Sequence, residues 1–484
     1  MIKKLKSFLF ENKSEKQIFL KNAFWLSGGT AASRIIRALM IIYAARVLGT
    51  EGYGIFSYAL SLAAFFTVFS DIGLSGLLTR ELVQKPSEAQ RYIATTLRIK
   101  FAIITLSVAL TLFIAPWFIK IDAARTLLPI VALLLAFDSM RIFIFAITRS
   151  KNRMEIESGL SVTTDIFITV FGFVALFLLP SAKWLAIAYT AGSGLGFFTA
   201  FFVVRKWAGD FFGGFDRSLV KPILSSAWPF AVMGLLGGFM INIDTIVIGW
   251  FRSAGELGLY GAAQRPIQVF YLLPGLIGTS LFPLMSKLAH EKKNDRAKTI
   301  IERAITGVLA VALPLTVGGV LLGFPFVHLV FGSQYLGATL TFQLLLLTLI
   351  PVFAGSIIGN AVFAYDQQKI FLRGAGMGAF ANVLFDLLLI PPYGIAGSAV
   401  ATVIAQIIAN GYVYQKFKKI VPVGIFPLLG KITLASLGMG IVVFGVSRIG
   451  WSVIPTIALG IAVYALLLFV LKEPLLEVIG IRRK

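Results

Sequence analysis

Stretches of about 20 predominantly apolar residues, the length that crosses a bilayer, recur along the whole of this chain. That recurrence leaves few folds open. Fourteen such stretches can be read, near 20–47, 52–78, 92–115, 125–148, 158–180, 183–207, 221–250, 257–286, 298–322, 338–364, 368–391, 394–418, 429–448 and 452–472. In hydrocarbon each segment must satisfy its own backbone hydrogen bonds, which for runs of this length means helix. Pro229, Pro266, Pro274, Pro314 and Pro351 fall inside them and are tolerated where neighbouring groups re-satisfy the freed backbone. Only 14% of the 484 residues are charged, against about a quarter in a soluble domain. The 43 phenylalanines are spread throughout and leave no stretch polar enough for a separate soluble domain. The expected fold class is an all-α polytopic membrane protein with about 14 transmembrane helices.

The net charge of +22 is explained by its placement. Connections after even-numbered spans hold Arg80, Lys85 and Arg91, then Arg149, Lys151 and Arg153, then Arg205, Lys206, Arg217 and Lys221. Lys287, Lys292, Lys293, Arg296 and Lys298 continue the series, followed by Lys369 and by Lys416, Lys418 and Lys419. The opposite connections hold only Lys120, Arg125, Lys183, Arg252 and Arg448. This alternation places both termini in the cytoplasm, where Arg482, Arg483 and Lys484 fit. No basic stripe interleaved with aromatics occurs on a soluble segment, so nucleic acid is not an expected partner. The amino-terminal "MIKKLKSFLFENKSEKQIFLKN" lacks a long apolar core and a small-residue cleavage site, and reads as a retained cytoplasmic segment. The absence of cysteine excludes thiol chemistry, His290 and His328 form no ligand spacing, and no GxxxxGK[ST] occurs. Neither a metal, a cofactor nor direct ATP coupling is expected.

A faint internal repeat divides the chain. "GIFSYA" (54–59) and "GLYGAA" (258–263) follow the first span of each half, with Glu51 and Glu256 upstream, and "IGLSGL" (72–77) answers "IGTSLF" (277–282). Six spans is an even number, so both copies enter the membrane in the same sense, as two parallel six-helix lobes. The expected boundaries are 1–19 for the cytoplasmic segment, 20–210 and 211–420 for the lobes, and 421–484 for two further helices and a tail.

Charges remaining inside spans mark function or pairing. Residues equidistant from a tight hairpin lie at similar depth, since each advances about 1.5 Å. Asp244 and Arg265 match in this way, as do Arg141 and Asp165; Asp138 lies one turn from Arg141, and Asp71 lies near the height of Arg98 and Lys100. Asp71, Asp244, Asp138, Arg141 and Asp165 are therefore candidates for structural ion pairs or ion coupling. Arg34 and Arg37 find no acid at matched depth on the second span, at a cost of about 2.5–3.5 kcal/mol per charge on insertion scales. At i, i+3 they share a face. With Arg265 they are the candidate residues for binding an anion, since guanidinium suits phosphate or carboxylate.

The segments "NVLFDLLLIPPYGIAGSAVATVIA" (382–405), "VFGSQYLGATLTFQLLLLTLIPVFAGSIIGNAVFAYDQQK" (330–369), "ARVLGTEGYGIFSYALSLAAFF" (45–66) and "NIDTIVIGWFRSAGELGLYGAAQRP" (242–266) resemble the multidrug/oligosaccharidyl-lipid/polysaccharide exporter superfamily, and within it the polysaccharide biosynthesis proteins. The resemblance implies two lobes in a V, as in the multidrug transporters of that superfamily, around a cationic central cavity working by alternating access. It implies a flippase in the cell membrane that moves a polyprenyl-diphosphate-linked oligosaccharide across the bilayer, with membrane lipid and polysaccharide polymerase or assembly proteins as partners and H+ or Na+ as coupling ion. The two extra C-terminal helices match in number those of lipid II flippases. An ion-coupled multidrug or metabolite antiporter of the same superfamily is the alternative, and would want an acidic cavity. An enzyme is not expected: the outward connections are short and offer no nucleophile–base constellation.

Overall fold

Helix is the chain's answer to hydrocarbon throughout. The computed structural model describes residues 15–208, 211, 213–425 and 429–474, and no strand occurs among them. The outermost residues, including most of the expected cytoplasmic segment and the Arg482–Lys484 tail, lie outside the described residues. Eleven helices are long and apolar enough to cross a membrane, or twelve if one bent pair counts as a single span. The expected fourteen is approached rather than met by that count, and the shortfall has a physical origin. Two helices are far too long for one crossing: α1, Glu15–Asp71, and α14, Gln368–Phe417. Drawn straight, the 57 residues of α1 would reach about 86 Å, nearly three bilayer cores. Each is broken once, at Gly49 (φ 68°) and at Gly394 (φ 60°). Both angles lie where glycine alone is free of steric cost; Gly49 falls between two spans expected from the sequence, and Gly394 is the first residue of the expected span 394–418.

The chain separates into two compact units, Met1–Gly258 and Leu259–Lys484. The first contains α1, α2 (Leu74–Gln84), α3 (Ala89–Ala109, continued to Phe118), α4 (Leu128–Ser150), α5 (Met154–Leu178), α6 (Ala182–Ala208), α7 (Val220–Phe251) and the start of α8 (Ala254–Phe270). α5 packs along both α1 and α6, while α7 lies against α1 and α2. Leu78, Phe143, Ala146, Ala200 and Ile223 meet in its core. The α6–α7 connection folds back on α3: Arg91 pairs with Asp216, whose backbone N–H donates to Thr95 Oγ1 at 3.0 Å, and the Arg98 guanidinium covers the Phe215 ring. The Ser218 hydroxyl and Arg91 hold the Asp216 carboxyl down to about 2, so this clasp is ionised near neutral pH.

The second unit takes the rest of α8, then α9 (Leu272–His290), α10 (Asn294–Leu321), α11 (Gly323–Phe331), α12 (Thr339–Leu346), α13 (Leu349–Ala364), α14, α15 (Gly430–Arg448) and α16 (Val453–Val470). α13 packs on α9, α10 and α14, and α15 on α10 and α16.

The two repeat motifs of the sequence meet inside the first unit. A Cβ on Gly54 would collide with the carbonyl oxygen of Ala254, and one on Gly258 with the carbonyl oxygen of Thr50. Gly54 and Gly258 each stand four residues after the residue that the other abuts. The contact is thus reciprocal, one glycine of each copy pressed on the backbone of its counterpart, as small residues allow between membrane helices. Gly54→Ala and Gly258→Ala are each expected to cost about 1–3 kcal/mol, the usual penalty of overpacking. Thermal unfolding in detergent should show it, with Gly255→Ala close to wild type because a Cβ there meets nothing nearer than 3.7 Å.

Candidate functional site

The site is set by the seam between α1 and α5, two helices whose contacts advance in step. At the start of the seam Lys21 is fully buried; its Nζ donates to the Asn152 carbonyl at 3.3 Å and pairs with Glu155 at 3.1 Å. One turn on, Ser158 Oγ donates to the Trp25 carbonyl at 2.8 Å. Gly29 lies against Ser158 and Gly172 against Met40, so glycines on both helices let the backbones approach. Between these contacts lies the Arg37–Asp165 ion pair. Arg37 Nε donates to Asp165 Oδ1 at 3.0 Å, and Nη2 donates to the same oxygen. The Tyr189 ring of α6 stands 5.5 Å from the guanidinium carbon. Asp165 is the twelfth of the 25 residues of α5, the middle of the span.

This partnership corrects the depth match of Asp165 with Arg141 and supplies the acid that Arg37 lacked at matched depth on the second span, while Arg141 keeps its other expected neighbour, Asp138. Arg141 Nη2 instead donates to Asp138 on its own helix, at 2.8 Å, and Asp138 also accepts from Ser193 Oγ at 2.6 Å. The reason is packing. Hairpin arithmetic assumes that consecutive helices face each other, whereas α5 turns its seam to α1 and α6. Tyr189 and Ser193, one turn apart on α6, were missed; the only available signal was their polarity within an apolar span.

The remaining candidates sort by unit. In the first, Asp71 Oδ1 accepts from Ser75 Oγ at 2.6 Å and from the fully buried Lys100, the partner suggested by depth. Asp244 is buried in α7, and Arg34 is exposed on α1, one turn before Arg37. In the second unit, the half-buried Arg265 donates from Nη1 to Gln268 Oε1 at 3.4 Å. Asp386 is fully buried and accepts from Asn382 Nδ2 at 3.2 Å. An apolar cavity of about 360 Å³ opens among α10, α15 and α16, lined by Val311, Leu315, Met439, Ile457 and Ile461, with Tyr464 at its edge. No group of three or more metal-ligating side chains occurs among the described residues.

Chemically, the α1–α5 seam offers no nucleophile–base pair. It presents a guanidinium whose side chain is 34% exposed, backed by a carboxylate that is 4% exposed. A guanidinium has hydrogen-bond donors of the kind that suit a phosphate or carboxylate.

Residues 19–289 match the polysaccharide biosynthesis protein family. The chain is 25% identical over 399 residues to a probable flippase, AglR, of Haloferax volcanii, covering 79% of this chain and 80% of that one. It is 22% identical to a probable low-salt glycan biosynthesis flippase of the same organism, over 90% and 89% of the two chains. Among solved structures it shares the fold of the lipid II flippase MurJ in an inward closed conformation, with a TM-score of 0.79, 20% identity, and coverage of 93% and 99%.

The Asp71–Lys100 pair is testable without any substrate. Lys100→Met alone strands a carboxylate and is expected to cost about 3–5 kcal/mol, whereas the Asp71→Leu, Lys100→Met double variant costs much less. Unfolding midpoints of the singles and the double give the coupling; additive costs would mean that the pair contributes nothing.

Proposed function

The chain belongs to the polysaccharide biosynthesis protein family, and from that membership we propose that it is a flippase, moving a polyprenyl-diphosphate-linked oligosaccharide across the cell membrane for surface glycan assembly. The observation that carries this reading is the similarity to two probable flippases over about four fifths or more of each chain compared. The chain is a multi-pass transporter and not an enzyme. The physical problem suits it: a diphosphate and sugars cannot cross hydrocarbon unaided, while the prenyl tail need never leave it. A transporter has only to shelter the polar head and change the side to which the shelter opens.

In this proposal Arg34 and Arg37 on α1, with Arg265 on α8, bind the diphosphate, and the lobes 20–210 and 211–420 alternate access to it. The exposed edge of Arg37 supports the assignment, since guanidinium binds phosphate through paired N–H donors. The cavity among α10, α15 and α16 is suited to hydrocarbon by its lining, and we assign it to the prenyl tail. Coupling to H+ or Na+ would fall on the carboxylates within the spans, Asp71, Asp138, Asp165 and Asp244; product consumption by a polymerase could replace it. The alternation of Lys and Arg supports cytoplasmic termini.

Two measurements test these points. Reconstituted with a labelled polyprenyl-diphosphate oligosaccharide, the wild type is expected to transfer label between leaflets. The Arg34→Ala, Arg37→Ala variant should do so at least about 100-fold more slowly, given about 1.5–3 kcal/mol for each charged hydrogen bond lost. No transfer by the wild type, with proton- or sodium-driven movement of a cationic dye, would instead identify an antiporter. Because the chain has no cysteine, single cysteines report topology cleanly: Lys292→Cys should react with an impermeant thiol reagent only from the cytoplasmic side, and Lys183→Cys only from outside.

A further inference from the structure

An arginine that binds a travelling anion raises a problem for the unloaded protein. Once the anion leaves, the guanidinium stays at mid-span without a counter-ion, and a charge at that depth resists any rearrangement that exposes it to hydrocarbon. The Arg37–Asp165 geometry bears on this. Nε and Nη2 of Arg37 converge on Oδ1 of Asp165 alone; the fork-to-fork arrangement, which would use both carboxylate oxygens and bind more strongly, is not made. Nη1 makes no hydrogen bond among the described residues, and the Arg37 side chain is much more exposed than that of Asp165. Tyr189 braces the guanidinium from α6, a cation–π contact that persists whichever anion occupies the edge. The neighbouring acid, Asp138, is already engaged by Arg141 and Ser193 and is not available in its place.

We infer that Asp165 is an exchangeable counter-ion. It neutralises Arg37 in the unloaded transporter and yields to the diphosphate on loading, so that the protein can return empty. The inference rests on the flippase reading above and adds to it the regulation of the same site. Asp165 competes with substrate: it lowers the fraction of protein whose Arg37 is available, and so weakens apparent affinity, in exchange for release and return. No covalent bond changes in this step; one carboxylate–guanidinium pair is replaced by a phosphate–guanidinium pair, and then restored.

The experiment compares wild type with Asp165→Asn, using a fluorescent polyprenyl-diphosphate disaccharide as probe. Three quantities are read: its dissociation constant in detergent, its exchange between leaflets when both are loaded, and its net transfer from a loaded leaflet to an empty one. Exchange requires only the loaded protein, whereas net transfer requires the unloaded return. For Asp165→Asn the dissociation constant should fall about tenfold, as expected when a competing state is removed. The ratio of net transfer to exchange should fall by a similar factor while exchange persists. Weaker binding, with exchange and net transfer lost together, would overturn the inference and make Asp165 a residue that only positions Arg37.

Should Asp165→Asn fail to fold, Asp165→Glu, which keeps the charge, decides. A ratio within about twofold of wild type supports exchange, whereas a folded Glu variant that loses both fluxes overturns it. Failure of the underlying flippase reading is separately visible: the wild type would bind the probe no better than Arg37→Ala. That result removes both proposals.

Discussion

The cost of an uncompensated charge at membrane depth governs the first unit of this protein. Lys21, Lys100 and Arg37 are each matched by an acid from another segment, and Arg141 by an acid one turn away. Only the last of these is local. The other three fix which helices are neighbours: α1 lies on α5 because both Lys21–Glu155 and Arg37–Asp165 must close, and α3 lies against the end of α1 because Lys100 must reach Asp71. Hydrophobic burial cannot make that choice inside a bilayer, where lipid tails are as apolar as leucine. Charge matching and close backbone approach make it instead.

Close approach is supplied by small residues at defined points. Gly29 and Gly172 admit Ser158 and Met40 along the α1–α5 seam, and Gly54 and Gly258 press on Ala254 and Thr50. The second pair lies in the two segments that carry the faint sequence repeat. The two motifs are related by the contact that they make with each other, and a side chain at either glycine would push apart an interface that both copies build.

Much of this was legible before any coordinates. Apolar length identified the spans, and positive φ at Gly49 and Gly394 explains why four of them join as two long broken helices. The Asp71–Lys100 pair followed from depth because the two segments are neighbours in space as in sequence. Asp165 did not follow, because depth gives height within the bilayer and says nothing of azimuth: which of several helices a side chain faces is decided by packing. The same blindness hid Tyr189 and Ser193. A single tyrosine or serine in an apolar span carries no signal until the helix opposite it is known.

Azimuth also bears on the sign of the candidate site. The antiporter alternative calls for carboxylates presented to a cation, and the sequence does contain acids at the right depth. In the folded first unit, however, three of the four candidate acids, Asp71, Asp138 and Asp165, are each taken up by a basic side chain. At the Arg37–Asp165 pair the base is the more exposed partner, 34% against 4% for its acid. A buried ion pair is electrically neutral in total, yet what it offers a ligand depends on which partner stands in front. Here the arginine is the more exposed partner, which is the sign that the proposed anion-binding role requires. The exposure of one pair, rather than the count of charges in the spans, is therefore what the proposed anionic cargo rests on.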